Sequence, residues 1–230
     1  MHRFHMPDFA IDREMPLPPD EAKHLSRVLR LKAGDLVAVF DGRGREAVAR
    51  VESVTPQGVS VRVTGTRSPV PEPAVAVTLA LALLKSDKMD RVIRDAVMRG
   101  VSSVQPFVSR RTDVPRSALK TGVRQDRWDR TVIASVKQCG RAVVPQVLEM
   151  REFGEILAST SGHLRLMFVE PGSAGRAAAA DLTSLEGQRP SDAIVFVGPE
   201  GGWDPEEVTN AEMAGVALVT FGSRVLRADA

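Results

Sequence analysis

In the first third of the chain, apolar residues come in short alternating runs. Leu36-Val37-Ala38-Val39-Phe40, the turn pair Asp41-Gly42 and Ala47-Val48-Ala49-Arg50-Val51 predict a β-hairpin, and Val59 to Val63 predicts a further strand. Ahead of them, Ala22, Leu25, Val28 and Leu29 recur at helical spacing and predict a short helix over Asp20 to Arg30. Its residues His24, Arg27 and Arg30 would project from one side and could clamp RNA phosphates. Short strands with few helical partners imply a compact barrel over residues 1–68.

Three prolines in Ser68-Pro69-Val70-Pro71-Glu72-Pro73 resist both helix and central strand, so residues 69–73 read as a linker. Beyond it, residues 74–230 switch to alternating strands and helices. The strands fall at Val75 to Leu84, Val104 to Val108, Val143 to Leu148, Leu164 to Val169, Ala193 to Val197 and Val216 to Phe221. Between them lie helices. One is capped by Ser86, carries Met89, Val92, Ile93, Ala96 and Val97 on its apolar face, and stops at Gly100. Others open at Trp128 and run to Cys139, cover Glu152 to Ala158, and cover Ala177 to Leu185. This order implies an α/β domain built on a mostly parallel sheet.

The break after Val197 is the most explicit signal. Five apolar residues end in Gly198-Pro199-Glu200-Gly201-Gly202, and a helix restarts with Asp204 as cap, Pro205 at its first position and Glu207 completing a capping box. Glycines let such a loop turn tightly and approach a ligand. Val169-Glu170-Pro171-Gly172 and Phe221-Gly222-Ser223-Arg224-Val225-Leu226-Arg227 also follow strands. Parallel strands put their carboxyl ends on one edge, so the three loops can converge on one pocket.

Composition narrows the choice of chemistry. With 230 residues, 43% of them hydrophobic, the chain can bury a real core. No apolar run approaches the ~20 residues a bilayer requires, and Met1-His2-Arg3-Phe4-His5 does not open a signal peptide. A cytoplasmic protein that does not enter a membrane is expected. The single Cys139 excludes an internal disulfide and reads as a small apolar residue; as a nucleophile it would need His163. His2 and His5 lack further ligands, so no metal is expected. Dinucleotide, P-loop and serine-hydrolase motifs are absent. The net charge of +2 conceals an asymmetry: residues 85–151 hold fifteen Lys or Arg against seven Asp or Glu, and residues 152–230 hold five against twelve. A basic block of that kind suits a polyanion, or simply a set of solvated helix faces.

Gly198 to Gly202, followed by Phe221-Gly222-Ser223-Arg224-Val225-Leu226-Arg227, resembles the knotted S-adenosylmethionine-dependent methyltransferases of the SPOUT superfamily. The match is to the ribosomal RNA small subunit methyltransferase E family. Arg3-Phe4, His24 with Val28-Leu29-Arg30, Phe40-Asp41-Gly42, Lys85 to Asp90 and Gln138-Cys139-Gly140-Arg141 extend the resemblance over nearly the whole chain. It implies a PUA-like RNA-binding β-barrel, then a trefoil-knotted α/β domain that works as a homodimer and methylates N3 of a uridine in 16S ribosomal RNA of the small subunit. The alternatives are ribose 2′-O methylation within the same superfamily and, from a different class, a non-catalytic RNA-binding or ribosome assembly factor. Two positions depart from the family. Ala228-Asp229-Ala230 stands where Thr-Glu-Thr and a terminal helix are usual, and Lys137 stands where glutamate is usual.

Under this resemblance the cofactor slot is formed by Val169, Glu170, Val197, Gly198, Pro199, Glu200, Gly201, Gly202, Phe221, Gly222, Val225 and Leu226. Uracil N3 is protonated at neutral pH, so a base must take the proton or a cation must stabilise the anion. Arg227 and Arg224 suit the cationic role. Glu200 suits a base or cofactor-orienting group, or an acceptor of loop amides. RNA contacts are expected from Arg3, His24, Arg27, Arg30, Lys85, Lys88, Arg110 and Arg141.

Overall fold

The chain divides into two units, Met1–Glu72 with Ile133–Val144, and Pro73–Val132 with Pro145–Ala230. The computed structural model describes residues 1–85, 87–114, 121–160, 164–171, 180–181, 187, 190–220, 225 and 227–229.

In the first unit, β1 (Arg3–His5), β3 (Leu36–Phe40), β4 (Glu46–Thr55), β5 (Gly58–Arg67) and β2 (Glu14–Pro16) form one sheet in that spatial order. β1 and β3 run parallel, and the other pairs are antiparallel. The period-2 alternation does its expected work: Val59, Val61 and Val63 of β5 and Ala47, Ala49 and Val51 of β4 are buried on one core with Phe4, Leu25, Val37 and Val39.

The β3–β4 turn is organised by a buried carboxylate. Asp41 accepts the backbone N–H groups of Arg43 (2.8 Å) and Arg45 (2.9 Å) and the Arg45 Nε–H (2.7 Å). Gly42, at φ 78°, supplies the left-handed backbone the turn requires. Burial pushes the Asp41 carboxyl up, but these hydrogen bonds and the Arg45 charge outweigh it and hold the carboxyl below its ordinary range.

The helix expected over Asp20 to Arg30 changes character midway. α1 (Pro19–Lys23) is α-helical, and His24–Leu29 continues as a π-helix ending at Arg30 with φ 54°. A wider turn breaks the three-residue register, so the three basic residues do not share one environment. His24 packs edge-on against Phe4, with ring centroids 6.3 Å apart, while Arg27 and Arg30 are exposed.

Arg3 is a structural residue. Its guanidinium donates to the carbonyls of Val136 (2.7 Å) and Arg141 (2.8 Å) and to Glu46 (3.1 Å), and it stacks over Phe40. Val136 lies in the last turn of α3 (Thr121–Cys139), and its carbonyl, which also accepts the Gly140 N–H at 3.2 Å, takes the Arg3 guanidinium as a second, cationic donor at the helix C-terminus. Lys137 pairs with Glu21 at 2.7 Å, and Arg141 pairs with Glu72 through its Nε at 3.1 Å. Arg3 and Arg141, both expected to contact RNA, are held here by acceptors of their own unit. Half-buried Cys139 contacts the carbonyl of Val136; its only histidine partner in the second domain, His163, lies outside the described residues.

The second unit is a parallel sheet. Its strands are β6 (Ala76–Ala82), β7 (Ser103–Val108), β8 (Gln146–Val147), β9 (Arg151–Glu152), β10 (Leu164–Phe168), β11 (Ala180–Asp181), β12 (Asp192–Val197) and β13 (Ala217–Thr220). Their order is β11-β13-β10-β12-β6-β7-β8, with β9 also on β7, and every described pair is parallel. α2 (Lys88–Met98), α4 (Phe153–Ser159) and α5 (Pro205–Met213) join them. The core collects Phe107, Phe153, Met167, Phe196 and Val208.

Three sequence expectations change here. The helix expected over Ala177 to Leu185 is a strand where it is described, because Ala180 and Asp181 pair with Val219 and Thr220. β8 is shorter than Val143 to Leu148, since Val143 instead bridges Gly42 and Arg43. α2 begins at Lys88 with Asp87 at its N-cap, and Ser86 lies outside the described residues. The knot implied by the resemblance concerns the chain after Thr220, of which Val225 and Arg227–Asp229 are described. Among the described residues no helix is long and apolar enough to cross a membrane, and no cluster of His, Cys, Asp or Glu could hold a metal.

The Asp41 turn yields a stability prediction. Asp41→Asn lowers unfolding stability at pH 7 by about 2 kcal/mol in urea titration, because its amide keeps one oxygen for the Arg43 and Arg45 N–H groups but loses the negative charge and the Oδ2 that accepts from Arg45 Nε. The native carboxylate's advantage is present above the unfolded carboxyl value (~3.9) and disappears as pH falls through its lower folded value, so the gap between native and variant closes in acid.

Candidate active site

Because β6, β10 and β12 are parallel neighbours, their carboxyl ends lie on one edge of the sheet. A cavity of about 390 Å³ opens there. Leu79 and Leu81 of β6 form its apolar floor, Val92, Asp95, Ala96 and Arg99 of α2 one side, and the residues that follow β10 and β12 the other. Its size falls within the ordinary range for a small-molecule site, about 300–1,000 Å³.

Of the expected cofactor residues, Val169, Glu170, Val197, Gly198, Pro199 and Gly202 line this cavity. Glu200 and Gly201 do not. The loop is also packed tightly against the protein: a Cβ on Gly198 would come within 2.9 Å of the Trp203 ring, and one on Gly201 within 3.0 Å of the Arg111 carbonyl. Gly202 takes φ 71°, beside the Glu170 carboxylate. Val225 is exposed and outside the lining. Phe221, Gly222, Leu226 and Arg224 lie outside the described residues.

Glu200 reaches back to the loop after β6. Its Oε1 accepts the Lys88 ammonium (2.9 Å) and the Lys85 backbone N–H (3.3 Å). Burial raises its carboxyl, yet the Lys88 hydrogen bond, the backbone N–H groups of Glu200 and Lys85 and the Lys88 charge together hold it below the usual carboxylate range. A carboxylate so occupied is a weak proton acceptor at neutral pH and a firm tether between two loops. Lys85 pairs with Asp113, and Arg110 pairs with Asp204 (3.4 Å) and with Glu206. These three basic residues are therefore engaged by the protein's own carboxylates.

α5 starts as its sequence specifies. The Asp204 side chain accepts the Glu206 N–H at 3.0 Å, and Glu207 accepts the Asp204 N–H at 3.2 Å. Glu207, buried, also takes the Arg110 N–H at 3.0 Å, which joins the loop after β7 to this helix. Arg227 lines the cavity and holds Asp229 through two hydrogen bonds, 3.0 and 3.1 Å. Burial on its own would raise the Asp229 carboxyl; the Arg227 contact outweighs it and lowers it.

Local sequence reasoning passed over Trp203, Asp95, Arg99 and Asp229. Asp95 and Arg99 stand three and seven residues after Val92, so the helical period itself places them on the cavity side of α2.

Comparison with known proteins agrees with this geometry. A family model described as an RNA methyltransferase domain matches residues 71–230, and one described as an RNA methyltransferase PUA domain matches residues 17–64. The ribosomal RNA small subunit methyltransferase E of Synechocystis is 30% identical over 224 residues, 96% of this chain and 71% of that protein. The chain belongs to the ribosomal RNA small subunit methyltransferase E family. The Bacillus subtilis family member is 24% identical over 91% of this chain and 83% of its own length. Among solved structures, the Neisseria gonorrhoeae family member, bound to S-adenosyl methionine, has a TM-score of 0.88 at 31% identity over 100% of this chain and 92% of that one. A Legionella pneumophila protein solved with the bound cofactor SAM has a TM-score of 0.90 at 25% identity, over 99% and 91% of the two chains. The α/β class with a PUA-like N-terminal region and a parallel sheet, read from sequence, is that of this family.

The Lys88–Glu200 tether is open to a direct check. In a carbon-detected NMR titration Glu200 ionises below the ordinary glutamate value, and Lys88→Ala moves its midpoint upward. The tether's contribution to stability is present at neutral pH and is lost as pH falls through the lowered folded value.

Proposed function

We propose that this chain transfers the methyl group of S-adenosylmethionine to N3 of a uridine in 16S ribosomal RNA, acting as a cytoplasmic homodimer. The observation that carries the reading is the apolar cavity at the carboxyl ends of β6, β10 and β12, in a chain of this family. Its donor set fits the cofactor: Leu79, Leu81, Val92, Val169 and Val197 suit a flat purine, and the carboxylates of Asp95, Glu170 and Asp229 offset a cationic sulfonium and ammonium. When bound, the cofactor supplies an electrophilic methyl group.

The chain's own residues do the rest by positioning and charge. Uracil N3 must lose a proton, and the resulting charge spreads over the two flanking carbonyl oxygens. Arg227 offsets that charge, oriented by Asp229. Arg224 is assigned the same role from its place in the motif. Glu200 is assigned to hold the Gly198–Gly202 loop against Lys88 rather than to accept the N3 proton. The target base leaves its stack to reach the methyl group. Residues 1–68 serve as the RNA-binding domain, with exposed Arg27 and Arg30 as phosphate contacts, and residues 74–230 as the methyltransferase domain after the 69–73 linker. Lys85, Lys88 and Arg110 are assigned to RNA phosphate with the N–H donors that their carboxylate partners leave over.

Incubation of the purified chain with S-adenosylmethionine and small ribosomal subunits, followed by nucleoside analysis, is expected to show N3-methyluridine. A methyl group on a ribose 2′ oxygen, or none, would overturn the reading, and a monomer in sedimentation would remove the homodimer. Arg227→Ala is expected to lower kcat by about 10²-fold, the scale for losing one anion-stabilising donor, with cofactor affinity changed far less. An unchanged kcat would remove Arg227 from the chemistry.

A further inference from the structure

A uracil that has lost its N3 proton carries the charge on its two ring carbonyl oxygens as well as on N3. N3 itself must face the methyl carbon. One guanidinium laid across both oxygens would cover N3, so a separate donor on each side of N3 suits the anion better. Arg227, oriented by Asp229, supplies one such cation–carboxylate pair at the cavity. A second pair stands on the neighbouring loops, Lys88 with Glu200 at 2.9 Å.

Three features bring Lys88 to the same place. Lys88, Val92, Asp95 and Arg99 recur at intervals of four, three and four residues, one stripe of α2, and the last three line the cavity. Lys88 begins the helix, so it heads that stripe at the carboxyl edge of the sheet, where the loops after β12 and β13 also lie. Its charge reaches the other pair as well: burial works to raise the Asp229 carboxyl, Arg227 outweighs it, and the Lys88 ammonium adds to the lowering. The Lys88 and Glu200 side chains are only 23% and 25% exposed, which limits screening of the charge by solvent. A cation in the first turn opposes the helix macrodipole, so this charge does not serve as a cap. Nearby cations pair with other carboxylates, Lys85 with Asp113 and Arg91 with Asp87 at 3.6 Å.

We propose that Lys88 is a catalytic residue: its ammonium, held by Glu200, donates to one carbonyl oxygen of the deprotonated uracil while Arg227 serves the other. The proposal rests on the uridine N3 reading of this cavity, and it moves Lys88 from a phosphate to the base. Glu200 takes one N–H of the ammonium and leaves two for the substrate. In the step itself N3 releases its proton to water and its electron pair forms the bond to the methyl carbon, while the pair of the carbon–sulfur bond stays with sulfur. The two cations change no bonds and lower the energy of the anion.

The test is methyl transfer to small ribosomal subunits by the native chain and Lys88→Met, with both substrates saturating, across the neutral and alkaline pH range. At neutral pH Lys88→Met loses about 10²-fold in kcat, the scale for one anion-stabilising donor. The deficit shrinks as pH rises, because N3 then ionises with less help, and the rising limb of the variant's profile lies at higher pH than the native one. Its KM for the subunit changes far less than kcat. Lys88→Gln stands in if Lys88→Met does not fold. A raised KM with kcat unchanged marks a phosphate contact and overturns the proposal. A deficit of the same size at every pH marks a loop displaced by loss of the Glu200 partner and overturns it too. Absence of N3-methyluridine with the native chain overturns the reading of the cavity, and the proposal with it.

Discussion

Parallel pairing is the constraint on which this enzyme's chemistry depends. A parallel ladder brings every strand to the same edge in the same direction, so the loops that follow β6, β10 and β12 have no choice but to meet. The sheet does not stay closed there. β12 remains with β6 to its last residue and leaves β10 one step earlier, and the gap between them becomes the cavity. Trp203, which lines that cavity, donates its indole N–H to the Phe168 carbonyl at 2.7 Å and so ties the loop after β12 to the end of β10.

Charge plays a different part from the one its distribution along the chain suggests. Fifteen basic residues between 85 and 151 look like a surface for a polyanion. In the folded protein Lys85, Lys88, Arg110 and Arg127 face Asp113, Glu200, Asp204 with Glu206, and Asp90 respectively. Glu200, Asp204 and Glu206 of the acidic C-terminal part thus pair with Lys88 and Arg110 of the basic block, while Lys85 and Arg127 find carboxylates within the block itself. Exposed pairs of this kind are individually weak, so they locate loops more than they stabilise the fold.

Local features were legible in the sequence. Alternation marked β3, β4 and β5, the helical period marked α2, and Asp204-Pro205 with Glu207 marked the start of α5, because each depends on neighbours within a few residues. Features set by distant partners were not. The bonds from Arg3 to the carbonyls of Val136 and Arg141 span more than 130 residues of sequence. Ala180 and Asp181 read as helix because alanine favours helices, whereas β13 recruits them as an edge strand. Nothing local marks the π-helical turn at His24–Leu29. Of the site, the Gly198–Gly202 loop was visible, and the closeness of Trp203 to Gly198 and of Arg111 to Gly201 was not.

The Arg3 contacts also bear on how such a protein can change over generations. The N-terminal unit is written in two separate stretches of the gene, residues 1–72 and 133–144, the second lying inside the region that encodes the other unit. A fragment ending at Glu72 would carry Arg3, Glu21 and Glu72 without Val136, Lys137 and Arg141 to receive them. Recombination cannot lift this half out as a cassette and graft it onto another enzyme. Its inheritance is tied to that of the unit whose coding region encloses its second stretch.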